Sequence, residues 1–274
     1  MYTKSETVER MQSIVYEILC EIDSFCRQND IKYFLSGGTC LGAVRHHGFI
    51  PWDDDGDIMM PRKDYEKFIR TFAASTTSRF RIITLENDKT CNLPYARVWD
   101  PNSRITHKTV YAPDIGVNVD IFPIDGVSNQ VLRRRFYYWK LKVLDNICSE
   151  ASRKEYLPQH RFVAFRKMVG RVAKVFGVHT FASMMDSLAK RTEYDRSDLV
   201  ACSLPVHYGE RETIEKKYMS EQLFVQFETS KFAIPSGYDK YLRNLYGDDY
   251  MVVPDGPKGG QHLDVWEVEF GDQP

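Results

Sequence analysis

The chain has 274 residues, of which 43% are hydrophobic and 27% charged, and its formal net charge is −1. This composition is typical of a globular protein and excludes a disordered or fibrous chain, and the balanced charge predicts no nucleic-acid partner. The sequence has no apolar run long enough to span a bilayer, and its first ten residues lack the apolar stretch of a secretory signal, so we expect a cytoplasmic protein. The six cysteines include no CxxC pair, which disfavours a zinc site and favours reduced thiols.

The first half of the chain alternates helical and strand patterns. Apolar residues at steps of three and four predict a helix over 6–28, and a serine-glycine-glycine sequence predicts a tight turn at 36–38. The other predicted elements are a strand at 31–35, a helix at 40–46, a strand at 57–60, a helix at about 63–74, and strands at 80–85, 95–99 and 117–122.

The second half is mostly helical in pattern. From 129 to about 191 helical spacing continues, with breaks near Pro158 and Gly177, and the last third mixes loops with short helices, one of them at 238–246. We therefore predict an α/β (α+β) fold. A mixed sheet flanked by helices would occupy 1–127, and a mainly helical extension over 128–274 would pack on that core.

Positive charge is concentrated in the extension. Residues 131–191 contain 14 lysines and arginines against four acids, a net charge of +10, so the rest of the chain carries −11. Aromatic side chains are interleaved with these cations. Such a pattern is found in helices that bind an acceptor or lie on an anionic membrane, and also in solvated faces whose aromatics pack on the protein.

Four carboxylates occupy the five positions from Asp53 to Asp57. Alternate side chains of a strand share a face, so Asp55 and Asp57 would point the same way and repel unless a cation lies between them. Mg²⁺ prefers such oxygen ligands and completes its coordination with phosphates and water. The alternative is a polar loop, or a cap for the following helix.

Two flanking segments favour a site for phosphoryl or nucleotidyl transfer. Upstream, the turn at 36–39 leads into a helix whose first N–H groups would suit a phosphate, although a Gly-Gly pair is often an ordinary turn. Downstream, Asp120 lies in an apolar strand, where an unpaired charge is costly. Either a metal shared with the upstream acids or a salt bridge to Arg97 or Arg104 would compensate it.

The segment 34–57, FLSGGTCLGAVRHHGFIPWDDDGD, resembles the signature of the LicD family, which includes bacterial phosphocholine transferases and is related to fukutin. The segment 119–126, VDIFPIDG, resembles the second motif of that family. A weaker match runs from YGDDYM at 246–251 to His262. The resemblance implies a fold similar to the nucleotidyltransferase superfamily, in which a glycine turn precedes a metal-binding pair of aspartates and a third aspartate lies on a neighbouring strand.

Mapped onto this chain, the resemblance implies that Asp55, Asp57 and Asp120 are the catalytic residues and the ligands of Mg²⁺, or of Mn²⁺. Asp120 could in addition take the proton of the attacking hydroxyl. Gly56 stands where the family usually has an apolar residue, and we expect it to loosen the strand locally. The implied substrate-binding residues are Ser36, Gly37, Gly38, Thr39, Arg45, Asp54, Arg97 and His262.

The implied activity is transfer of phosphocholine from CDP-choline to a hydroxyl of a cell-surface glycan, with release of CMP. The acceptor would be a teichoic acid, lipopolysaccharide or capsule precursor, lipid-linked if the enzyme works at the inner face of the cell membrane. The alternatives are the same chemistry with CDP-ribitol, CDP-glycerol or CDP-ethanolamine, a small-molecule nucleotidyltransferase that releases pyrophosphate, and a non-catalytic scaffold that binds glycan or membrane.

For several residues the sequence leaves two interpretations open. Arg45 would contact a phosphate or form a surface salt bridge, and Arg97 would contact the donor phosphates or pair with the third aspartate. Asp53 and Asp54 would support the metal ligands or only shape the loop. Trp52 would pack in the core or join an aromatic cage around a quaternary ammonium.

Overall fold

The computed structural model describes residues 4–156, 162–254 and 266–271. Its α-helices are α1 (Lys4–Gln28), α2 (Gly37–Arg45), α3 (Arg62–Ala73), α4 (Val131–Ser152), α5 (Val163–Phe176), α6 (Val178–Ala189) and α7 (Tyr238–Tyr246). Its strands are β1 (Phe34–Leu35), β2 (Asp57–Pro61), β3 (Arg81–Ile83), β4 (Ala96–Trp99), β5 (Ser103–His107), β6 (Asn118–Val127), β7 (Leu199–Ala201), β8 (Ile214–Glu215), β9 (Gln222–Phe227), β10 (Ser230–Pro235) and β11 (Trp266–Phe270). Short 3₁₀ helices cover Gly209–Glu212 and Lys216–Met219. The predicted α/β class is confirmed.

Strand β6 is the centre of the main sheet, whose order is β1-β2-β6-β4-β3. It runs parallel to β2 and antiparallel to β4, and its last residues pair with β7, which in turn pairs with β8. Because β6 is ten residues long, its first half can lie between β2 and β4 while its end pairs with a strand from the C-terminal half. The hairpin β9–β10 and the pair β5–β11 form two small additional sheets.

Helix α1 buries one face on the core, as its spacing predicts. Where it crosses the segment before β2, a Cβ at Gly56 would lie 2.5 Å from Cγ1 of Val15 and 3.3 Å from Cγ2 of Val119. We expected Gly56 to loosen the strand. Instead it is buried, and its missing side chain allows the helix to approach the backbone closely.

The helical layer is formed by α4, α5 and α6, and the predicted break at Gly177 separates the last two. The break near Pro158 lies outside the described residues. A small core that includes Tyr138, Leu141 and Met185 joins α4 to α6. A buried ion-pair network then ties α6 to the sheet. In it, Nε of Arg62 donates to Oδ1 of Asp125 over 2.7 Å, and Nη1 donates to Oδ1 of Asp186 over 2.8 Å. This network fixes the helical layer relative to the acidic cluster.

After α6 the chain returns to the main core. The hairpin β9–β10 places Phe227 and Phe232 in the same core as the central strands, and α7 adds Tyr241. The helix at 238–246 is confirmed. No strand is predicted at β5 or from β7 to β11. β7 and β8 have only three and two residues, and β5 and β11 pair with each other from distant parts of the sequence, whereas β9 and β10 form a local hairpin. The division at residue 127 stays a prediction, and the main core takes side chains from both sides of it, such as Ile121 and Ile234.

Candidate active site

Two strands bring together aspartates that are distant in the sequence. Asp57 begins β2, and Asp120 is its direct register partner on the parallel strand β6. Arg97 of β4 is the register partner of Asp120 on the other side. Since directly paired residues of neighbouring strands project to the same face, these three side chains share one face of the sheet.

Asp120 forms a salt bridge with Arg97. Nε of Arg97 donates to Oδ1 of Asp120 over 2.6 Å and Nη2 donates to Oδ2 over 3.3 Å, while Nδ2 of Asn118 donates to Oδ1 over 2.9 Å. Of the two arginines that the sequence offered, Arg104 instead pairs with Asp114 at 2.8 Å on the surface. Asp120 is therefore held by a cation of the protein, and its predicted role as a metal ligand requires this contact to loosen.

Several negative charges surround the carboxylate of Asp57. Burial raises the pKa of its carboxyl well above the usual value, and the charges of Asp55, Asp120 and Asp53 raise it further, while Arg97 opposes them. Its backbone N–H donates to Oγ1 of Thr39 over 2.9 Å, which fixes the start of the strand. A cation beside Asp57 would relieve this repulsion.

The glycine turn lies directly over these carboxylates. Helix α2 begins at Gly37, three residues earlier than predicted, and Gly37 has a φ of +50°. A Cβ at Gly37 would lie 3.3 Å from Oδ2 of Asp57, and one at Gly38 would lie 2.9 Å from Oδ2 of Asp53. Glycine thus permits both the left-handed backbone and the close approach of the helix to the acids.

Tyr241 of α7 supports the turn, although no sequence motif indicates it as a residue of the site. Its hydroxyl accepts a hydrogen bond from the backbone N–H of Gly37 over 3.2 Å and lies 3.1 Å from Oγ of Ser36. Ser36 and Thr39 are buried, and Thr39 accepts from Asp57, so both act inside the protein. Of the four residues predicted to cradle a phosphate, Gly38 is the one that lines the cavity described next. The phosphate-binding role of this turn stays a prediction.

Two cavities meet at the acidic cluster, and Asp55, Asp57 and His207 line both. The first, of about 390 Å³, is also lined by Gly38, Leu41, Arg45, Ile50, Trp52, Asp53, Tyr208, Tyr246, Asp249, Tyr250, Val252 and Pro254. The second, of about 470 Å³, lies between the sheet and α4 and has Arg97, Asn118, Asp120, Lys142, Asp145, Ser149, Arg153 and Met185 among its lining residues. A shared wall of carboxylates between two cavities suits a reaction that joins two substrates.

His207 is a site residue that no sequence motif indicated. Its ring centroid lies 4.0 Å from that of Tyr208, whose hydroxyl donates to the Tyr246 hydroxyl over 3.0 Å. Burial lowers the pKa of His207, and the positive charge of Lys142 lowers it further. The imidazole is therefore neutral at neutral pH and can accept a proton at the wall between the cavities.

The carboxylates of Asp55 and Asp57 are candidate ligands for a divalent cation. Within residues 4–156, 162–254 and 266–271, no three His, Cys, Asp or Glu side chains converge as a metal-binding group. Asp55 and Asp57 nevertheless line the same two cavities, and the negative charge of Asp55 raises the pKa of Asp57. Since Mg²⁺ is usually held by one or two carboxylates together with substrate phosphates, this pair fits such an ion when a diphosphate is bound.

Comparison with known proteins agrees with this geometry. Residues 30–145 match the model of the LicD/FKTN/FKRP nucleotidyltransferase domain, a segment that contains α2, the acids from Asp53 to Asp57, and Asp120. A lipopolysaccharide cholinephosphotransferase, LicD, of Haemophilus influenzae is 26% identical over 271 residues, which cover 95% of this chain and 97% of that protein. The chain is therefore similar to the LicD family, through the domain model over residues 30–145 and through a LicD protein over almost its whole length. Uncharacterized proteins of Rickettsia typhi and Rickettsia prowazekii match shorter segments, with 41% identity over 56 residues and 44% over 50, about a fifth of each chain.

The remaining residues of the three motifs lie at separate places in the structure. Arg45 lines the first cavity, and its Nη1 donates to the Tyr250 carbonyl over 2.9 Å, so it connects the first motif to the third. Asp54 is buried and is not among the described residues that line the two cavities, whereas its neighbour Asp53 lines the first. Asp248 is 93% exposed and pairs with Arg243. His262, predicted to bind substrate, lies outside the described residues.

Proposed function

We propose that this protein transfers phosphocholine from CDP-choline to a hydroxyl of a cell-surface glycan and releases CMP. The prediction of a transferase is confirmed by the similarity to the LicD domain model and to the full-length relative from Haemophilus influenzae, which is named a lipopolysaccharide cholinephosphotransferase. The single observation that carries the proposal is the wall of carboxylates shared by two cavities, because group transfer needs donor and acceptor to meet at one point.

We assign the donor to the first cavity. Its aromatic side chains Trp52, Tyr208, Tyr246 and Tyr250, together with the carboxylates of Asp53 and Asp249, suit a quaternary ammonium. Gly38 at the start of α2 and the guanidinium of Arg45 line the same cavity and suit the diphosphate. Donors whose alcohol is uncharged, such as CDP-ribitol or CDP-glycerol, have no ammonium group to contact the aromatic and acidic groups.

The acceptor hydroxyl would then enter through the second cavity. Its oxygen attacks the phosphorus that carries choline, the bond from that phosphorus to the oxygen bridging to CMP breaks, and CMP leaves with the bond's electron pair. Asp120 lines this cavity and is oriented by Arg97 and Asn118, and we propose that it receives the hydroxyl proton. Asp55 and Asp57 would hold Mg²⁺, or Mn²⁺ in its place, and the ion would neutralise charge on the diphosphate.

Calorimetric titration tests the donor assignment. The wild-type protein would be titrated with CDP-choline, CDP-ethanolamine, CDP-ribitol, CDP-glycerol and CTP, each with and without Mg²⁺. We expect tightest, Mg²⁺-dependent binding of CDP-choline, and release of CMP rather than pyrophosphate when a glycan acceptor is added. Tightest binding of CDP-ribitol or CDP-glycerol would keep the chemistry and replace the donor. Binding of CTP alone, with pyrophosphate release, would replace the reaction.

A matched pair of variants tests the aromatic cavity. Trp52→Leu should weaken CDP-choline binding by roughly 5- to 30-fold, the range expected for a lost cation–π contact of about 1–2 kcal/mol, and leave CTP binding unchanged. Trp139→Leu is the control, because Trp139 lies on α4 and is not among the described residues that line either cavity. Equal effects of the two substitutions on CDP-choline binding would contradict the assignment of choline to the first cavity.

A further inference from the structure

The outer face of the helical layer exposes a row of apolar side chains on α5. Phe165, Met168, Val172 and Val175 recur at steps of three and four, so they form one stripe along the helix. All four are exposed, Val175 by 83%. The small residues Gly170 and Ala173 instead face inward and are buried. Helix α5 is therefore amphipathic, but its large apolar groups point to solvent and its small residues face the protein, which is the reverse of the usual arrangement.

Helix α4 exposes a second stripe. Leu132, Phe136, Trp139 and Val143 recur at steps of four, three and four, and Leu132 is 80% exposed. The rings of Phe136 and Trp139 are stacked, with centroids 5.4 Å apart and an interplanar angle of 9°. The two aromatic rings therefore form one flat apolar surface.

Two shallow grooves connect these stripes. One, of about 470 Å³, lies between α4, α5 and α6 and is lined by apolar side chains apart from Thr180. The other, of about 610 Å³, includes Trp139 and Val143 of α4. Both contain Thr180 and Met184 of α6, so the grooves and the two stripes belong to one continuous face. Monomeric proteins rarely expose a contiguous apolar surface of this extent without a binding function.

Cations lie beside the apolar side chains of this face. Lys167, Arg171 and Lys174 follow one edge of α5, and Arg133 and Arg135 lie near the start of α4. Nζ of Lys140 lies 4.3 Å from the centroid of the Phe136 ring. The face lies within the segment 131–191, whose net charge is +10 in a chain of net charge −1. Its partner should therefore be both apolar and negatively charged.

We propose that this apolar and basic face of α4, α5 and α6 docks on the surface of an anionic phospholipid bilayer. An amphipathic helix with aromatic and aliphatic groups on one side and cations beside them can insert its apolar groups among the acyl chains while the cations contact headgroup phosphates. No helix in the described part of the chain is both long and apolar enough to cross a membrane, so the contact is with the surface.

Other residues of two of these helices line the second cavity, namely Lys142, Asp145 and Ser149 of α4 and Met185 of α6. Docking by the outer face would therefore hold this cavity close to the bilayer. A glycan acceptor attached to a lipid could then reach the shared carboxylates without leaving the membrane; this consequence, unlike the docking itself, rests on the proposed function.

Vesicle co-sedimentation tests the docking without donor or acceptor. The wild-type protein should bind vesicles of phosphatidylcholine with 30% phosphatidylglycerol and not vesicles of phosphatidylcholine alone, and high salt should weaken the binding. Replacing Lys167 and Lys174 by glutamine should reduce partitioning by roughly 30-fold, at about 1 kcal/mol per cation. Replacing Phe165 and Val172 by serine should reduce it by at least a similar factor. Leu223→Ser, on the exposed side of β9, is the matched control and should bind like the wild type.

Thermal unfolding would verify that each variant is folded. Binding that is equal for both vesicle types, or unchanged in the lysine and apolar variants, would overturn the proposal. So would a wild-type dimer in sedimentation velocity that is lost in the apolar variant, because the face would then be covered by a second copy of the chain. An assay with a soluble glycan acceptor distinguishes this proposal from the transferase proposal. The lysine and apolar variants should use such an acceptor at the wild-type rate even when they no longer bind vesicles.

Discussion

Replacing Arg97 by methionine removes the cation that holds Asp120. The side chains of the pair are only 15% and 16% exposed, and Asp57 lies in register beside Asp120. Without Arg97, the carboxylates of Asp55, Asp57 and Asp120 would share a wall of the second cavity that has lost its nearest cation. The substitution is close in length and apolar, so the loss of charge dominates its effect.

The expected cost follows from the burial of this pair. Removing one partner of a largely buried ion pair costs about 3–5 kcal/mol, because the remaining charge is left uncompensated. For a chain of this size each kcal/mol lowers the melting temperature by about 2 °C, so Arg97→Met should lower it by roughly 6–10 °C. Arg104→Met is the matched control, since Arg104 and Asp114 are 58% and 68% exposed and such pairs contribute about 0–1 kcal/mol.

The assay is thermal and urea unfolding of both variants with and without Mg²⁺. A ligand present at about 100 times its dissociation constant stabilises the folded state by about 2.7 kcal/mol. Because Asp120 is released in Arg97→Met, Mg²⁺ should stabilise this variant more than it stabilises the wild type. The double variant Arg97→Met, Asp120→Asn should recover much of the lost stability without Mg²⁺ and lose the extra response to it.

The reasoning would be refuted if Arg97→Met cost no more than Arg104→Met, since the contact with Asp120 would then contribute no more than a surface pair. If Arg97→Met lowers the free energy of unfolding by the expected amount and Mg²⁺ does not reduce this loss, the result would support the buried pair and contradict a cation site at these carboxylates.

The remaining predictions concern single residues of the site and core. Asp57→Asn should leave the melting temperature near that of wild type and reduce turnover to background in a CMP-release assay, whereas Asp248→Asn should retain activity; near-normal activity of the first would exclude the metal assignment. Gly56→Ala should cost about 1–3 kcal/mol in urea unfolding because its Cβ meets Val15, and Val15→Ala should recover part of this loss. Burial raises the pKa of Glu212 well above 4.5, so the folded state retains a proton that the unfolded state releases, and the contribution of this group to stability falls as pH rises above 4.5. Glu212→Gln should therefore gain stability relative to wild type between pH 5 and 8, and a constant difference across that range would contradict a buried, protonated carboxyl.

Several parts of the site could be predicted from the sequence because they depend on local spacing. Asp55 and Asp57 are two residues apart, so the period of a strand predicts that both carboxylates lie on one side. In the structure β2 begins at Asp57, and Asp55 lies in the segment before it but lines the same two cavities. An apolar run around Asp120 predicts a buried strand, and the structure pairs that strand with β2. The turn at Gly37 followed from composition, although its helix begins three residues earlier than predicted.

Other parts depend on contacts that no local pattern encodes. Tyr241 reaches Gly37 across 204 positions of the chain, and His207 reaches the acids from a loop between two short strands. The choice between Arg97 and Arg104 as the partner of Asp120 depended on strand register, since β4 pairs with β6 and β5 pairs with β11.

The sequence by itself determined the α/β class, the acidic strand beneath the glycine turn, and the helical, basic segment at 131–191, because each is specified by residues close together in the chain. Only the tertiary structure decided that the acids form a wall between two cavities, and that the large apolar groups of α4 and α5 face solvent. Periodicity shows that a helix has an apolar face, but which face is buried depends on what packs against it. In α5 that contact falls on Gly170 and Ala173, and the larger side chains are left outside.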